Sequence, residues 1–537
     1  MKQRLLAVLV FCMLSGLPCM EQAICTAGVW QYYVPFDTGR VDKDGQRRIG
    51  KAYIWLPPES QEIRGLLVGG RLGIELEMAL DQQVRRACSD NDIAIVYFSP
   101  HISAVFHYWE QGDTSTDRWL KALADLARRT GHPELRRVPW ISMGHSTAGI
   151  FCRNVAYWKP ERVAGVIHIK SGNYHQQEHL PPAGSLAGVP VLNISGQFEV
   201  YGPEGGIRPE YGRETQWVFV RKDILRFKQD NPNHLMSLLL HRGADHFHGS
   251  PELAVHAAMF IAKTVKYRIG ELPRDRDERV VRCTSLGAED GWLTDSDLYD
   301  PAAAPAPYAD YTGDKLTAMW HYDGQTAQAV FDHHRNLGRH QALGKPQCTW
   351  LDEADGWTFR VAADFLNQMP GEYGGRIGGR QIGHAEGPAV FRCKQSEPVV
   401  QIGPDTFRLL REARHVHVCA FHPGDEEFRA TSRWSKLRVP VVKGERQTIQ
   451  FPALEDTAPK NVPVKLNAVA TSGLPVYYEV EYGPVVFADG GLVLCDMPHH
   501  PQFPIECRVT AHQPGRRTTP AVRPAQPVSR TFRLIAP

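Results

Sequence analysis

The chain reads as a multidomain protein: a mostly parallel α/β sheet with helices on both faces, then a β-rich region and a terminal β-sandwich. Three observations predict this. Up to Gly270, continuous apolar runs bounded by turn residues alternate with amphipathic stretches, the pattern of strands buried on both faces and joined by crossover helices. One such run, Val138-Pro-Trp-Ile-Ser-Met143, turns sharply at Gly144-His145-Ser146 into the helix-like Ile150–Tyr157. Past Arg268 the composition becomes charged and Pro/Ala-rich, and short strand-like runs take over.

The gross properties narrow the field. At 537 residues the chain exceeds what one core organises, and two to four domains are expected. Its 42% hydrophobic and 22% charged residues are globular values. A net charge of +2, with no basic run, argues against nucleic acid as a partner. Lys2 and Arg4 precede the apolar run Leu5–Leu14, which has signal-peptide length and is too short to span a bilayer. Cys25-Thr-Ala27 offers a cleavage site, and the Leu17-Pro-Cys19 region another. No later stretch has the length and apolarity of a membrane span, so a secreted or periplasmic protein is expected. Of the 11 cysteines, Cys495 and Cys507 are the best candidates for a disulfide. Cys88 and Cys152, in helix-like stretches, either pair or are buried thiols.

In order, Trp30–Val34 and Lys51–Leu56 read as antiparallel strands and Gly65–Gly70 as a buried strand ending in paired glycines. One helix follows, with Ile74, Leu76, Met78, Ala79 and Val84 on its apolar face. Asp92–Phe98 is a strand and Asp117–Arg129 a helix. After the Ser146 turn come strands Val163–Ile169 and Val189–Ser195, a helix around Trp217–Phe227, the strand Leu235–Leu240 and a closing helix from Pro251 to Tyr267.

A strand, a tight turn with a central serine and then a helix place the hydroxyl on a strained, projecting backbone, and Gly144, Ala148 and Gly149 leave room where strand and helix meet. In a sheet of this kind a serine, an acid and a histidine arrive in that chain order on loops after successive strands. Glu199 follows the strand Val189–Ser195, and His246 follows the last strand. Ser146 is then the nucleophile, His246 the base and Glu199 the group that orients it. His241 and His248 compete with His246, and Glu204 and Asp223 with Glu199. Asp245 reads better as a loop cap. Backbone N–H groups for an oxyanion are expected from Thr147 and from the Gly69–Gly73 loop, at Arg71 or Gly70. His145, His101 and Tyr201 are candidates to touch substrate.

Gly144-His-Ser-Thr-Ala-Gly149, Gly69-Gly-Arg71, Gly196-Gln-Phe-Glu199 and Gly243-Ala-Asp-His-Phe247 together resemble the α/β-hydrolase superfamily, most of all secreted esterases akin to dienelactone hydrolases and polyester depolymerases. Alanine rather than glycine two places after the serine is a small departure from the usual turn. The resemblance implies an acyl-enzyme mechanism with no metal or organic cofactor, and says little about substrate.

Beyond this region Lys315–His333 reads as a helix, followed by strands at Trp357–Ala362, Val399–Ile402, Thr406–Leu410 and His415–Ala420. His333-His334 and His415-Val-His417 lack acidic or cysteine partners at metal-ligand spacing, so a metal is not expected. The glycine-rich Asn367–Arg380 has no Gly-Lys-Ser/Thr and does not read as a phosphate loop. From Pro440 short β runs separated by turns suggest a β-sandwich. There Ala470–Tyr478 and Val509–Gly515 resemble bacterial immunoglobulin-like modules, which implies a spacer or an adhesive contact with carbohydrate or a cell surface. Tyr477, Tyr478 and Tyr482 are candidates for stacking on sugars or for packing between strands.

The expected organisation is a signal peptide at 1–27, a catalytic α/β domain at 28–270, a mixed β-rich region at 271–440 and an immunoglobulin-like sandwich at 441–537. The expected activity is hydrolysis of carboxylic esters, on a polymeric or surface-bound substrate such as an acylated polysaccharide or a polyester. A serine peptidase or amidase, or a non-catalytic surface-binding protein, are the alternatives.

Overall fold

The computed structural model describes residues 30–70, 73–103, 105–171, 179–197, 216–242, 244, 246–270, 280–298, 301–335, 338–370, 378–394, 396–488 and 490–537. The first half is built on one sheet of eight strands: β1 (Tyr32–Val41), β2 (Arg47–Trp55), β3 (Gly65–Gly70), β4 (Ile93–Ser99), β5 (Trp140–His145), β6 (Val163–Ile169), β7 (Val191–Gly196) and β8 (Met236–His241). Their order is β1-β2-β4-β3-β5-β6-β7-β8. The β1–β2 and β2–β4 pairs are antiparallel, and from β4 to β8 every pairing is parallel. That order and those directions are the α/β-hydrolase fold.

Side-chain alternation divides the sheet's contacts between two helical layers. Leu66, Val68, Val96 and Trp140 face α3 (Ser115–Thr130) and α4 (Thr147–Trp158), through Trp119, Leu123, Phe151 and Val155. Leu67, Ile95, Ile141 and Met143 face the other layer, made by α1 (Ile74–Leu80), α2 (Gln82–Ser89) and α6 (Pro251–Arg268). The α5 helix (Gln216–Asp230) joins the first layer through Ile224 and Phe227. The single helix expected after Gly70 is two, because the Asp81 carboxylate accepts from Gln83 N (2.8 Å) and caps a fresh start.

The second half is β-rich. β9 (Trp292–Thr294), β10 (Ala306–Pro307) and β11 (Met319–His321) form a small sheet, followed by α7 (Gly324–Arg335). The helix expected over Lys315–His333 starts later than the sequence suggests. Met319–His321 pairs with β9 instead, and Asp323 and Thr326 cap α7 reciprocally, at 3.1 and 3.0 Å. Next come a four-stranded sheet of β12 (Gln347–Trp350), β13 (Thr358–Ala362), β15 (Val399–Gln401) and β16 (Thr406–Leu409), and a three-stranded one of β14 (Val390–Cys393), β17 (His415–His422) and β18 (Thr431–Arg438).

Short antiparallel sheets between Ile449 and Leu534 complete the chain and lie against the β1–β2 hairpin. Trp55 Nε1 donates to Asp496 Oδ2 (2.9 Å), Gly483 N donates to Trp30 O (2.8 Å), and the Tyr33 and Tyr482 rings are 4.5 Å apart. This covers a hairpin at the margin of the large sheet. Tyr477, Tyr478 and Tyr482 are 2%, 4% and 3% exposed, so packing claims them and sugar stacking is ruled out for these rings. None of the eight described cysteines forms a disulfide; Cys495 and Cys507 do not pair, and Cys88 and Cys152 are buried thiols. No helix among the described residues is long and apolar enough to cross a membrane.

Several histidines sit inside this core as neutral rings. His333 Nε2 donates to Leu240 O (2.8 Å), and Leu240 N donates to His334 Nε2 (3.0 Å), so the His-His pair grips β8. Loss of solvent is the main cause that pushes His168, His321 and His333 down to about 3, and His234 and His256 to about 4. In the unfolded chain these rings take up protons near pH ~6.5, whereas the folded protein holds them neutral. Their effect on stability is therefore nil above that pH and unfavourable below it, on the order of 1 kcal/mol per ring by about pH 5.5. The melting temperature should fall steeply as pH is lowered from about 7 to about 5; calorimetry showing a flat profile there would contradict this.

Candidate active site

The site begins as a steric problem in β5, whose six residues are all buried. The strand ends at His145, and Ser146 follows with φ 55° and ψ −129°, a conformation that costs a residue with a side chain about 1–3 kcal/mol. The turn is held by Ser146 N donating to Ile169 O (3.1 Å) and Gly149 N donating to Ser146 O (2.9 Å). α4 then passes so close to β5 that a Cβ on Gly144 would overlap the Ala148 carbonyl and lie 2.8 Å from Cys152 Sγ. Only glycine fits at Gly144, while Ala148, buried at the first turn of α4, tolerates its methyl group.

His246 comes from the loop between β8 and α6. Because β5 to β8 are parallel, their C-terminal ends share one edge, and this loop arrives beside the serine. His246 Nε2 lies 3.0 Å from Ser146 Oγ, within hydrogen-bonding reach. The ring rivals are engaged elsewhere: His241 Nε2 is 2.7 Å from Ser250 Oγ, and His248 Nδ1 is 2.7 Å from Ser432 Oγ. His145 packs against His246 with ring centroids 4.9 Å apart, and its Nε2 donates to His246 O (2.8 Å). Burial first, and the adjacent His246 second, hold His145 well below the ordinary histidine range. Being neutral, it positions the His246 backbone without adding positive charge beside the serine.

Thr147 is the first residue of α4 and Gly70 the last of β3. The N-terminal end of α4 thus carries its partial positive charge to Ser146, where an oxyanion would develop. His101 is buried, with Nε2 3.2 Å from Arg40 Nη2. Asp223 lies within α5. Glu199, Arg71 and Tyr201, like Gly243, Glu204 and Asp245, lie outside the described residues.

Two groups around the site escaped sequence reasoning. Lys170, buried at the end of β6, donates from Nζ to His248 O (2.6 Å) and so fixes the loop that carries His246. Phe247 stands beside His145, with ring centroids 5.8 Å apart. The only available signal was position: a lysine directly after an apolar strand, at the edge where the site forms.

No protein-family model matches the chain, and no curated protein does. Solved structures similar to it in part include an α/β serine hydrolase without lid from Xanthomonas campestris, 16% identical, which covers 46% of this chain and 98% of its own, TM-score 0.27. A dienelactone hydrolase from Anabaena variabilis is 15% identical over 45% of this chain and 99% of its own, TM-score 0.27. A fluorophosphonate-binding serine hydrolase of Staphylococcus aureus is 12% identical over 44% and 99%, TM-score 0.26. The fold follows from the order and direction of this chain's own strands.

The strain and the crowding make opposite stability predictions. Ser146→Gly, which relieves the positive φ, should raise unfolding free energy by about 1 kcal/mol. Gly144→Ala, which must push α4 off β5, should lower it by about 2 kcal/mol. Urea unfolding of the two variants beside wild type reads both signs.

Proposed function

We propose that this protein is a serine hydrolase that cleaves carboxylic esters through an acyl-Ser146 intermediate. The observation that carries this is the 3.0 Å approach of His246 Nε2 to the hydroxyl of a serine on a strained strand-to-helix turn. A neutral hydroxyl is a poor nucleophile, so His246 takes the Ser146 proton as Oγ attacks the ester carbonyl. The tetrahedral oxyanion is met by the Thr147 N–H and by an N–H of the Gly69–Gly73 loop, from Arg71 or Gly70. Collapse breaks the bond to the alcohol, which leaves with the proton from His246. Water, deprotonated by the same ring, then attacks the acyl-enzyme, and the acid departs as Ser146 regains its proton. Glu199 is the group we assign to orient His246 and stabilise its imidazolium, from its place after β7. His145, His101 and Tyr201 remain our candidates for contact with substrate, and no metal or organic cofactor enters this chemistry.

We further propose export, on the strength of Lys2, Arg4 and the Leu5–Leu14 run; the described cysteines, none in a disulfide, lend it no support. The division at 270 and 440, with an immunoglobulin-like module from 441, stays a proposal supported by the change from the large sheet to short antiparallel ones. A polymeric or surface-bound ester is favoured because the chain continues past Gly270 in β-rich structure. Carbohydrate or cell-surface contact through the last module has no aromatic platform at Tyr477, Tyr478 or Tyr482 to support it.

The test is hydrolysis of short-chain p-nitrophenyl esters, together with labelling by a fluorophosphonate probe. Ser146→Ala and His246→Gln should each lower kcat by roughly 10⁴-fold or more, and Ser146→Ala should abolish labelling. Well-folded wild type that neither turns over an ester nor takes up the probe would overturn the reading.

A further inference from the structure

The β-rich half of the chain closes one side of a cavity of about 500 Å³ that reaches His145 and Phe247, the chain neighbours of Ser146 and His246. His145 and Phe247 stand on one wall, and Lys345, Lys394, Trp434 and Lys436 on the other. Strand register places all of the second wall but Lys345. In the β14-β17-β18 sheet, Arg392 pairs with Cys419, Cys419 with Trp434, and His417 with Lys436. Because side chains alternate along a strand, Ser432, Trp434 and Lys436 share one face of β18, with Cys419 and His417 beside them. The inner end of that face holds the histidine loop. Besides its bond to Ser432, His248 has its Nε2 3.3 Å from Arg392 Nη2 and its ring 5.3 Å from Trp434. Lys394, two residues past Arg392, and Lys436, two past Trp434, carry the face outward into the cavity.

The charge of this wall is one-sided. Lys345, Lys394 and Lys436 bring three ammonium groups, and none makes an ion pair with a described residue. Lys394 Nζ lies 5.9 Å from the ring centroids of both Phe247 and Trp434. The nearby acids stand behind the cavity wall or are engaged by other groups, and Glu75 is fully buried against Gly73 and His145. The Glu397 carboxylate is taken by His417, at 2.5 Å to Nδ1 and 2.7 Å to the backbone N–H. Glu77 is half-buried, and loss of solvent raises its pKa against the pull of Lys394, Lys170 and Arg392. No described residue lining the cavity is acidic. Like charges gathered at one opening with aromatic walls favour a counter-charged organic ligand.

We propose that this cavity selects esters carrying a carboxylate or like anion, held by Lys345, Lys394 and Lys436 while the ester carbonyl meets Ser146. The inference rests on the esterase reading above and adds the class of substrate. The anionic group lies on the part of the substrate directed toward Trp434, and the aromatic rings cover the chain between it and the ester.

The experiment compares, on the full chain, the p-nitrophenyl monoester of glutaric acid with the p-nitrophenyl ester of pentanoic acid, which is similar in length and uncharged. Wild type should favour the anionic ester in kcat/KM by roughly tenfold, through KM, and the preference should shrink as salt rises from about 0.05 to about 0.5 M. Lys394→Met and Lys436→Met, checked by melting temperature, should each cut the ratio between the two esters several-fold, and Lys394→Arg should retain it. Glutarate should also slow fluorophosphonate labelling of Ser146, and pentanamide should not. Equal kcat/KM for the two esters, a ratio untouched by the substitutions, or no protection by glutarate would overturn the anion preference and leave the esterase standing. Failure of Ser146 to label or turn over either ester would overturn both.

Discussion

The candidate active site depends throughout on the close passage of α4 across the end of β5. Backbone meets backbone between Gly144 and Ala148, and the chain reverses in one residue only by putting Ser146 at φ 55°. That strain is tolerable because the surroundings over-determine it. β5 is hydrogen-bonded on both sides within the sheet, and α4 is buried along most of its length. The same geometry that strains the serine exposes its hydroxyl and places the start of a helix behind it. Strain and electrostatic preparation thus have one cause.

The histidine side of the site is held differently. Its loop spans only Arg242 to Ser250, yet it is fastened at three depths. His145 holds the His246 carbonyl, Lys170 holds that of His248, and Ser432 and Arg392 hold the His248 ring. Two of these fasteners come from the β-rich half of the chain. That half therefore bears on the candidate site through position, because removing it would free one end of the loop that sets the 3.0 Å contact. It also supplies one wall of the cavity that reaches His145 and Phe247.

Burial of so much polarity has a consequence for the charge state of the core. His145, His241 and His248, around the serine, all lie well below the ordinary histidine range, with loss of solvent the first cause in each. Neutral neighbouring rings suit the proposed role of His246, since adjacent imidazoliums would oppose its gaining a proton. Positive charge near the site is carried instead by Lys170 and Arg392, which hold the His248 end of the loop, and further out by lysine side chains that reach the cavity.

Local pattern was enough to reveal the sheet, the serine turn and the place where a histidine should return. A doubly buried strand must be apolar throughout, a tight turn needs small residues, and loops after parallel strands share an edge. Those requirements act on neighbours in the chain and so are written in it. Local pattern could not separate His246 from His241 and His248, which stand in one loop with the same ring; their hydrogen-bond partners, from Ser250 to Ser432, separated them. Nor could it show that α7 waits for Asp323, or that Tyr477, Tyr478 and Tyr482 are interior. Lys345, Lys394 and Lys436 carry no signature of their own, since an isolated lysine reads as solvated surface. The register of β14, β17 and β18 and the docking of that sheet on the His248 loop bring Lys394 and Lys436 together, with Lys345 arriving from the segment before β12, because long-range pairing, unlike periodicity, leaves no mark on adjacent residues.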